Sequence, residues 1–173
     1  MKTLILGGVR SGKSALAESL AAAHSGPVTV IATATAFDAE MQARIDAHRA
    51  TRPAHWHTVE APTALPQALA DASRDDTLVL VDCLTLWLTN LLIADPRPDI
   101  DAACEALCTA VHEAPGDTVL VSNENSFGVT PDNRLSREFL DAAGRLHQDI
   151  ASRADRVALA VAGLPLILKG PPL

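Results

Sequence analysis

The 173-residue chain lacks the features that mark nucleic-acid-binding or disulfide-rich proteins. Its 14 Lys and Arg are outnumbered by 21 Asp and Glu, giving a formal net charge of −7. The sequence shows no basic patch, so neither a nucleic acid nor an anionic membrane is expected as a partner. Its cysteines, Cys83, Cys104 and Cys108, are odd in number and form no CxxC pair. We expect neither a disulfide framework nor a structural zinc, which fits a reducing compartment.

Long apolar stretches are missing too. No run approaches the roughly 18 residues of a membrane span, and the apolar run at the start is too short for a signal peptide. We expect a cytoplasmic protein. The sequence is 48% hydrophobic and contains neither an internal repeat nor a long linker. One domain over residues 1–173 is the natural expectation, since a chain of this length buries roughly 70% of its unfolded surface.

Short apolar runs alternate with helical patterns along the chain. The predicted strands are Thr3–Leu6, Val28–Ala32, Trp56–Glu60, Leu78–Val81, Val119–Val121, Val157–Ala162 and an edge strand at Leu166–Leu168. The predicted helices are Lys13–His24, Asp38–Ala50, Thr63–Ala72, Leu84–Ala94, Ile100–Ala114 and Arg134–Ala154. Thr35 and Asp38 resemble a capping box, and Gly144 is a predicted break in the last helix.

This alternation predicts a mostly parallel sheet covered by helices on both faces. In such sheets ligands bind at the carboxyl ends of the strands. Those ends carry Gly7, Thr33, Asp82, Asn123 and Glu124.

A phosphate-binding loop is the strongest motif. Gly7–Ser14 matches GxxxxGK[ST] in full, between a predicted strand and a predicted helix. Its glycines let backbone N–H groups converge on phosphate oxygens, and the helix start adds positive potential. Lys13 is predicted to reach the β- and γ-phosphates, and Ser14 to coordinate Mg²⁺. Asp82, which ends an apolar strand, is the expected second Mg²⁺ contact.

Three arginines and two histidines crowd into residues 44–56 of this acidic chain. Phe37, Met41, Ile45 and His48 share one helical stripe. The pattern alone favours a histidine at the core edge with solvated arginines. The alternative is a histidine that attacks phosphorus, with arginines neutralising the phosphates. Spacing cannot choose between His48, His55 and His57.

Several longer blocks carry a resemblance to a known family. They are GGVRSGKS at Gly7–Ser14, EMQARIDAHRATRPAHW at Glu40–Trp56, DCLTLWLTNLL at Asp82–Leu92 and VSNE at Val121–Glu124, followed by Gly128–Gln148 and Ala162–Lys169. Together they resemble the bifunctional adenosylcobinamide kinase/adenosylcobinamide-phosphate guanylyltransferase family of cobalamin biosynthesis. The phosphate loop is common to many families, whereas the blocks around His48 and after Asp82 are much more specific.

The resemblance implies a fold, a reaction and a site. The fold is an α/β phosphate-loop NTPase (RecA-like) three-layer fold with a mostly parallel sheet, and the assembly is a homotrimer. The enzyme phosphorylates adenosylcobinamide with ATP or GTP, then moves GMP from GTP onto the phosphate through a guanylylated histidine, which maps onto His48. The implied catalytic residues are His48 and Lys13. The implied nucleotide contacts are Gly7, Gly8, Val9, Arg10, Ser11, Gly12, Lys13, Ser14, Ala32, Thr33, Ala34, Arg49, Ala50, Thr51, Arg52, Glu60 and Asp82.

The chain departs from the family pattern at two places, and the resemblance implies an effect on the corrinoid end of the site and not on the nucleotide residues. Asn125-Ser126 replaces a Val-Gly pair, and His147 stands where Asn is common. Asn90, Asn123, Glu124 and Arg134 are further candidates chosen from strand ends or local motifs. Two other functions stay open from the loop alone. They are a small-molecule kinase without nucleotidyl transfer, and a nucleotide-switched binding module.

Overall fold

The computed structural model describes residues 1–36 and 38–173, apart from the side chains of Glu40, Met41, Arg44, His48 and Thr51. The strands are β1 (Lys2–Gly7), β2 (Val28–Ala32), β3 (His57–Glu60), β4 (Leu78–Asp82), β5 (Asp117–Asn123), β6 (Arg156–Val161) and β7 (Leu164–Lys169). The helices are α1 (Lys13–Ala23), α2 (Ala39–Thr51), α3 (Leu65–Ala72), α4 (Leu84–Ile93), α5 (Ile100–Glu113) and α6 (Arg134–Arg153).

The seven strands form one sheet in the order β3-β2-β4-β5-β1-β6-β7. Every neighbouring pair is parallel except β6 and β7, which form an antiparallel hairpin at the edge. The predicted mostly parallel sheet is therefore confirmed. Because parallel strands run the same way, the ends of β1, β2, β4 and β5 all lie at one edge of the sheet.

The sheet has a hydrophobic core on each face. On one face, Leu4, Leu6 and Leu120 pack with buried residues of α4, α5 and α6. On the other, Ile5 and Val121 pack against Ala17 and Ala21 of α1. Alternate residues of β1 thus feed opposite cores, as the two-residue period of a strand requires. The result is the predicted three-layer arrangement.

Two local expectations are wrong. Helix α6 runs unbroken through Gly144, because Ala143 and Leu146 on either side are buried and hold the helix on the sheet. The helix start also differs from the prediction, because α2 begins at Ala39 and the Gln42 N–H donates to the Asp38 carbonyl, so that Asp38 and not Thr35 lies at the start of the helix.

The remaining predicted boundaries shift by only a few residues, and Pro66 lies in the first turn of α3 as expected. Within the described part of the chain, no helix combines the length and apolarity needed to cross a membrane.

Candidate active site

The phosphate loop connects the end of β1 to the start of α1. Gly12 has φ +93°, a left-handed conformation that disfavours any residue with a Cβ. A Cβ on Gly7 would lie 2.4 Å from Ser11 Oγ and 2.9 Å from the Ala160 carbonyl oxygen. The two motif glycines are therefore required by backbone conformation and by close packing, respectively. Inside the loop, Ser11 N–H donates to the Gly8 carbonyl over 3.2 Å.

The β6–β7 hairpin holds this loop from the side. The Gly163 N–H donates to the Ser11 carbonyl at 2.8 Å. A Cβ on Gly12 would come within 2.8 Å of Gly163 Cα. The hairpin turn is thus part of the loop's framework. No sequence motif marks this contact, because residues 162–163 are far from the loop in the chain.

Two polar side chains of the loop, those of Lys13 and Ser11, can form further hydrogen bonds. Lys13 Nζ donates to the Gly8 carbonyl at 3.1 Å, so its ammonium group lies across the loop. Ser11 Oγ is buried and has no hydrogen-bond partner among the described residues. Leaving a buried hydroxyl unpaired costs about 1–3 kcal/mol, and such groups tend to persist at functional sites.

The predicted nucleotide residues of three strands form one row across the sheet. Ala32 pairs with Glu60 of β3 on one side and with Asp82 of β4 on the other. Next to β4, Asn123 of β5 pairs with Gly7 of β1. The structure therefore brings the strand-end residues to the same edge as the phosphate loop, as the fold class predicts.

The hydroxyl, N–H and carbonyl of Thr33 all form hydrogen bonds within the protein. Its hydroxyl donates to the Cys83 carbonyl at 2.7 Å and accepts from the Cys83 N–H at 2.9 Å. Its N–H donates to the Asp82 carbonyl over 3.2 Å, and its own carbonyl accepts from Asn90 Nδ2 at 2.8 Å. Thr33 therefore ties the end of β2 to the residues after β4. This role can position the site without a polar contact to a ligand.

Asn90 has a structural role of the same kind. Its buried amide donates to the carbonyls of Thr33 and Pro62. Asn123 donates its amide to Thr85 Oγ1 at 3.0 Å, and Thr85 Oγ1 lies 3.2 Å from Cys83 Sγ. Burial raises the pKa of the Cys83 thiol above its usual range. The loops after β2, β4 and β5 are thus joined by one network.

Glu124 and His147 meet on the α6 face of the sheet. Glu124 follows β5, and its N–H donates to the Gly7 carbonyl at 3.0 Å. Its Oε2 lies 3.8 Å from His147 Nδ1, while His147 Nε2 is 2.7 Å from Ser122 Oγ. Burial lowers the pKa of His147, and the nearby Glu124 partly opposes that shift. The departures from the family pattern, Ser126 and His147, therefore both contact Glu124.

Helix α2 carries the predicted histidine position. His48 lies within α2 (Ala39–Thr51), four residues before the first residue of the loop that follows this helix. The side chains of His48, Met41 and Thr51, and the whole of Phe37, lie outside the described residues, so the predicted stripe is described only at Ile45. Arg49 forms an ion pair with Glu60, which connects α2 to the end of β3.

Most of the other described candidates in this region are exposed. Ala50, His55 and His57 are exposed, and Arg52 is partly buried. Arg134 is exposed at the first position of α6, and no described contact connects it to the phosphate loop.

The parallel sheet, the complete phosphate loop and the acidic strand end define a nucleotide-binding protein of the phosphate-loop NTPase class. A solved structure supports the fold. The ATPase EscN of the enteropathogenic E. coli type III secretion system has a TM-score of 0.58 at 14% identity, over 93% of this chain and 43% of that chain. This likeness concerns the fold alone.

Sequence comparison identifies the family. Residues 3–168 match the sequence model of the family described as cobinamide kinase / cobinamide phosphate guanyltransferase. The bifunctional adenosylcobalamin biosynthesis protein CobP of Pseudomonas aeruginosa is 55% identical, with both chains fully covered. The protein named CobU in Escherichia coli is 40% identical over 98% of this chain and its own full length. The chain belongs to this family, and the predicted family resemblance is confirmed.

Proposed function

We propose that this chain phosphorylates adenosylcobinamide and then transfers GMP from GTP to adenosylcobinamide phosphate, forming adenosyl-GDP-cobinamide. The observation that carries the proposal is the family match over residues 3–168, together with a phosphate loop that is complete in sequence and geometry. The donor for the first step is ATP or GTP.

The transfer step uses His48 as the nucleophile. A ring nitrogen of His48 attacks the α-phosphorus of GTP, the bond to the bridging oxygen breaks, and pyrophosphate leaves. The phosphate of the acceptor then attacks the same phosphorus and displaces the imidazole. Lys13, Arg49 and Arg52 stabilise the charge on the leaving pyrophosphate. The ion pair of Arg49 with Glu60 supports this role, because it connects the arginine after His48 to the strand-end row.

Nucleotide binding is assigned to two groups of residues. The phosphate loop, Gly7–Ser14, holds the phosphates. The remaining contacts are Ala32, Thr33, Ala34, Arg49, Ala50, Thr51, Arg52, Glu60 and Asp82. For Thr33 we propose a van der Waals contact, since its N–H, carbonyl and hydroxyl all bond within the protein.

Ser14 and Asp82 fit a bound Mg²⁺. They offer a hydroxyl and a carboxylate oxygen at the phosphate-loop edge, and Mg²⁺ takes such hard oxygen donors together with phosphates and water. When bound, the ion would offset negative charge on the phosphates. Titration of Mg²⁺ into the wild type and into Asp82→Asn tests this pairing. Equal Mg²⁺ dependence of GTP binding in both proteins would contradict it.

The two reactions require different alignments. Phosphorylation needs attack in line with the γ-phosphorus, whereas transfer needs His48 in line with the α-phosphorus. We infer that α2 moves between the steps, or that the nucleotide is held differently in each. A structure in which one nucleotide pose aligns both attacks would refute this inference.

The assembly and the compartment follow the family resemblance. We propose a cytoplasmic homotrimer that takes a corrinoid and a nucleotide as small-molecule substrates. Light scattering tests the assembly, since a trimer has three times the 18.2 kDa of the single chain. A monomer mass at working concentration would exclude it.

Product formation tests the reaction directly. Adenosylcobinamide and GTP are incubated with the wild type and with His48→Ala. The corrinoid products are then separated and identified by their masses in mass spectrometry. We expect adenosyl-GDP-cobinamide from the wild type and only adenosylcobinamide phosphate from His48→Ala. Phosphorylation without any GDP adduct in the wild type would favour a simple small-molecule kinase.

A further inference from the structure

A cavity of about 430 Å³ lies between α6 and the β6–β7 hairpin. It is on the face opposite α1, because Leu6 and Val157 in its wall belong to the core shared with α6. Most of its wall is apolar, from residues such as Leu140, Ala143 and Leu168. One end is polar, where Glu124, Ser126 and His147 meet.

This polar end adjoins the phosphate loop. Leu6 in the cavity wall is the last residue before the loop motif. The Glu124 N–H donates to the Gly7 carbonyl at 3.0 Å, which ties the acid to the root of the loop. The cavity therefore reaches the sheet edge at which the nucleotide phosphates are proposed to bind.

The two oxygens of Glu124 are used differently. Oε1 accepts from the Ser126 N–H at 2.7 Å and from the Ser126 hydroxyl at 2.5 Å. Oε2 is 3.8 Å from His147 Nδ1, too far for a hydrogen bond. Burial lowers the pKa of His147, which disfavours the imidazolium form that would pair with the acid. Oε2 is thus available to accept a hydrogen bond from a ligand.

The chemistry of the cavity selects one kind of ligand. Its apolar wall suits an aliphatic chain, and its acid suits a hydrogen-bond donor at the end of that chain. A phosphate would be repelled by the carboxylate, whereas the ammonium of Lys169, which also lines the cavity, donates to the Ala151 and Ser152 carbonyls at the end of α6. In the segment that follows Ser126, Phe127 and Val129 are 82% and 94% exposed. They offer apolar contacts to any part of the ligand that extends beyond the cavity.

We propose that this cavity binds the aliphatic alcohol arm of the acceptor in the phosphorylation step, and that Glu124 is the base for that step. The hydroxyl oxygen attacks the γ-phosphorus, its proton passes to Glu124 Oε2, and the bond from phosphorus to the β,γ-bridging oxygen breaks to release the nucleoside diphosphate. This inference rests on the proposed function. Because the carboxylate repels the new phosphate, the transfer step takes place outside the cavity.

The two half-reactions test Glu124 separately. Phosphorylation is measured with adenosylcobinamide and γ-labelled ATP or GTP, and transfer with prepared adenosylcobinamide phosphate and α-labelled GTP. In Glu124→Gln we expect the kcat for phosphorylation to fall about 100-fold or more, while the transfer rate stays within about threefold of the wild type. Glu138→Gln is the matched control, since Glu138 lies on α6 outside the cavity and pairs with Arg97.

Each outcome bears on a different claim. A wild type that phosphorylates no adenosylcobinamide contradicts the proposed function itself. A wild type that does so, with an equally active Glu124→Gln, overturns only the role of Glu124. Loss of both half-reactions in a variant that still binds GTP also overturns it, because a base for phosphorylation has no part in transfer.

A second variant tests the cavity without depending on Glu124. A Cβ on Gly144 meets no atom of the described residues within 4 Å, although Gly144 lines the cavity. Gly144→Leu should therefore fold and fill this space. We expect the KM for adenosylcobinamide in phosphorylation to rise about tenfold or more, with GTP binding unchanged. Asp141→Leu, on the exposed side of α6, should leave that KM unchanged. Equal KM values in both variants would overturn the placement of the acceptor arm.

Discussion

Gly12→Ala should damage the phosphate loop by two separate mechanisms. The native φ of +93° costs an alanine about 1–2 kcal/mol. The added Cβ would also lie 2.8 Å from Gly163 Cα. This contact is with backbone, so the loop or the β6–β7 turn must shift, and overpacking of this kind costs about 1–3 kcal/mol. The combined loss of unfolding free energy is about 2 kcal/mol or more.

Gly8→Ala is the control within the same loop. A Cβ on Gly8 meets none of the atoms that the structure describes within 4 Å, and Gly8 is not among the described residues with positive φ. Thermal unfolding measured by circular dichroism should place Gly12→Ala at least about 4 °C below the wild type. Gly8→Ala should unfold close to the wild type. Equal melting temperatures for the two variants would refute the structural argument.

Three further predictions concern residues around the site. Thr33→Val should lower the free energy of unfolding by about 1–3 kcal/mol, because the buried Cys83 N–H loses its acceptor; urea unfolding should show a smaller loss for Thr29→Val on β2. Burial lowers the pKa of His147 in the folded protein. As the pH drops below the unfolded pKa of about 6.5, the imidazole is protonated in the unfolded chain before it is protonated in the folded one, so the free energy of unfolding should fall. His147→Asn should flatten that dependence, and an unchanged slope would contradict the burial argument. Arg49→Ala should change the free energy of unfolding by less than about 1 kcal/mol, since its ion pair with Glu60 is exposed, yet it should slow guanylyl transfer; an unchanged transfer rate would remove Arg49 from the site.

Sequence patterns predicted the sheet because buried parallel strands are continuous apolar runs. β2 has the predicted bounds, Val28–Ala32. β5 extends beyond its apolar run to Asp117 and Asn123, since ladder pairing with β1 also includes polar residues at its ends. The break at Gly144 was wrong because tertiary packing outweighs the roughly 1 kcal/mol that one glycine costs a helix.

The candidate site was predictable where it depends on local chain geometry. The phosphate loop and the row of strand ends follow from motif and fold. The contact of Gly163 with Ser11 and the double role of Asn90 in holding two loops do not, because they join segments distant in sequence. The cavity beside α6 is also formed by segments that are distant in sequence. From the sequence alone, its acid, Glu124, could be identified only as a polar residue after a strand.

The central claim is that GTP is split at its α-phosphorus through a bond to His48. Incubation with α-labelled GTP, followed by denaturation, measures this most directly. We predict acid-labile label on the wild type and on His55→Ala, as expected for a phosphoramidate, and no label on His48→Ala. Label retained by His48→Ala would contradict the account.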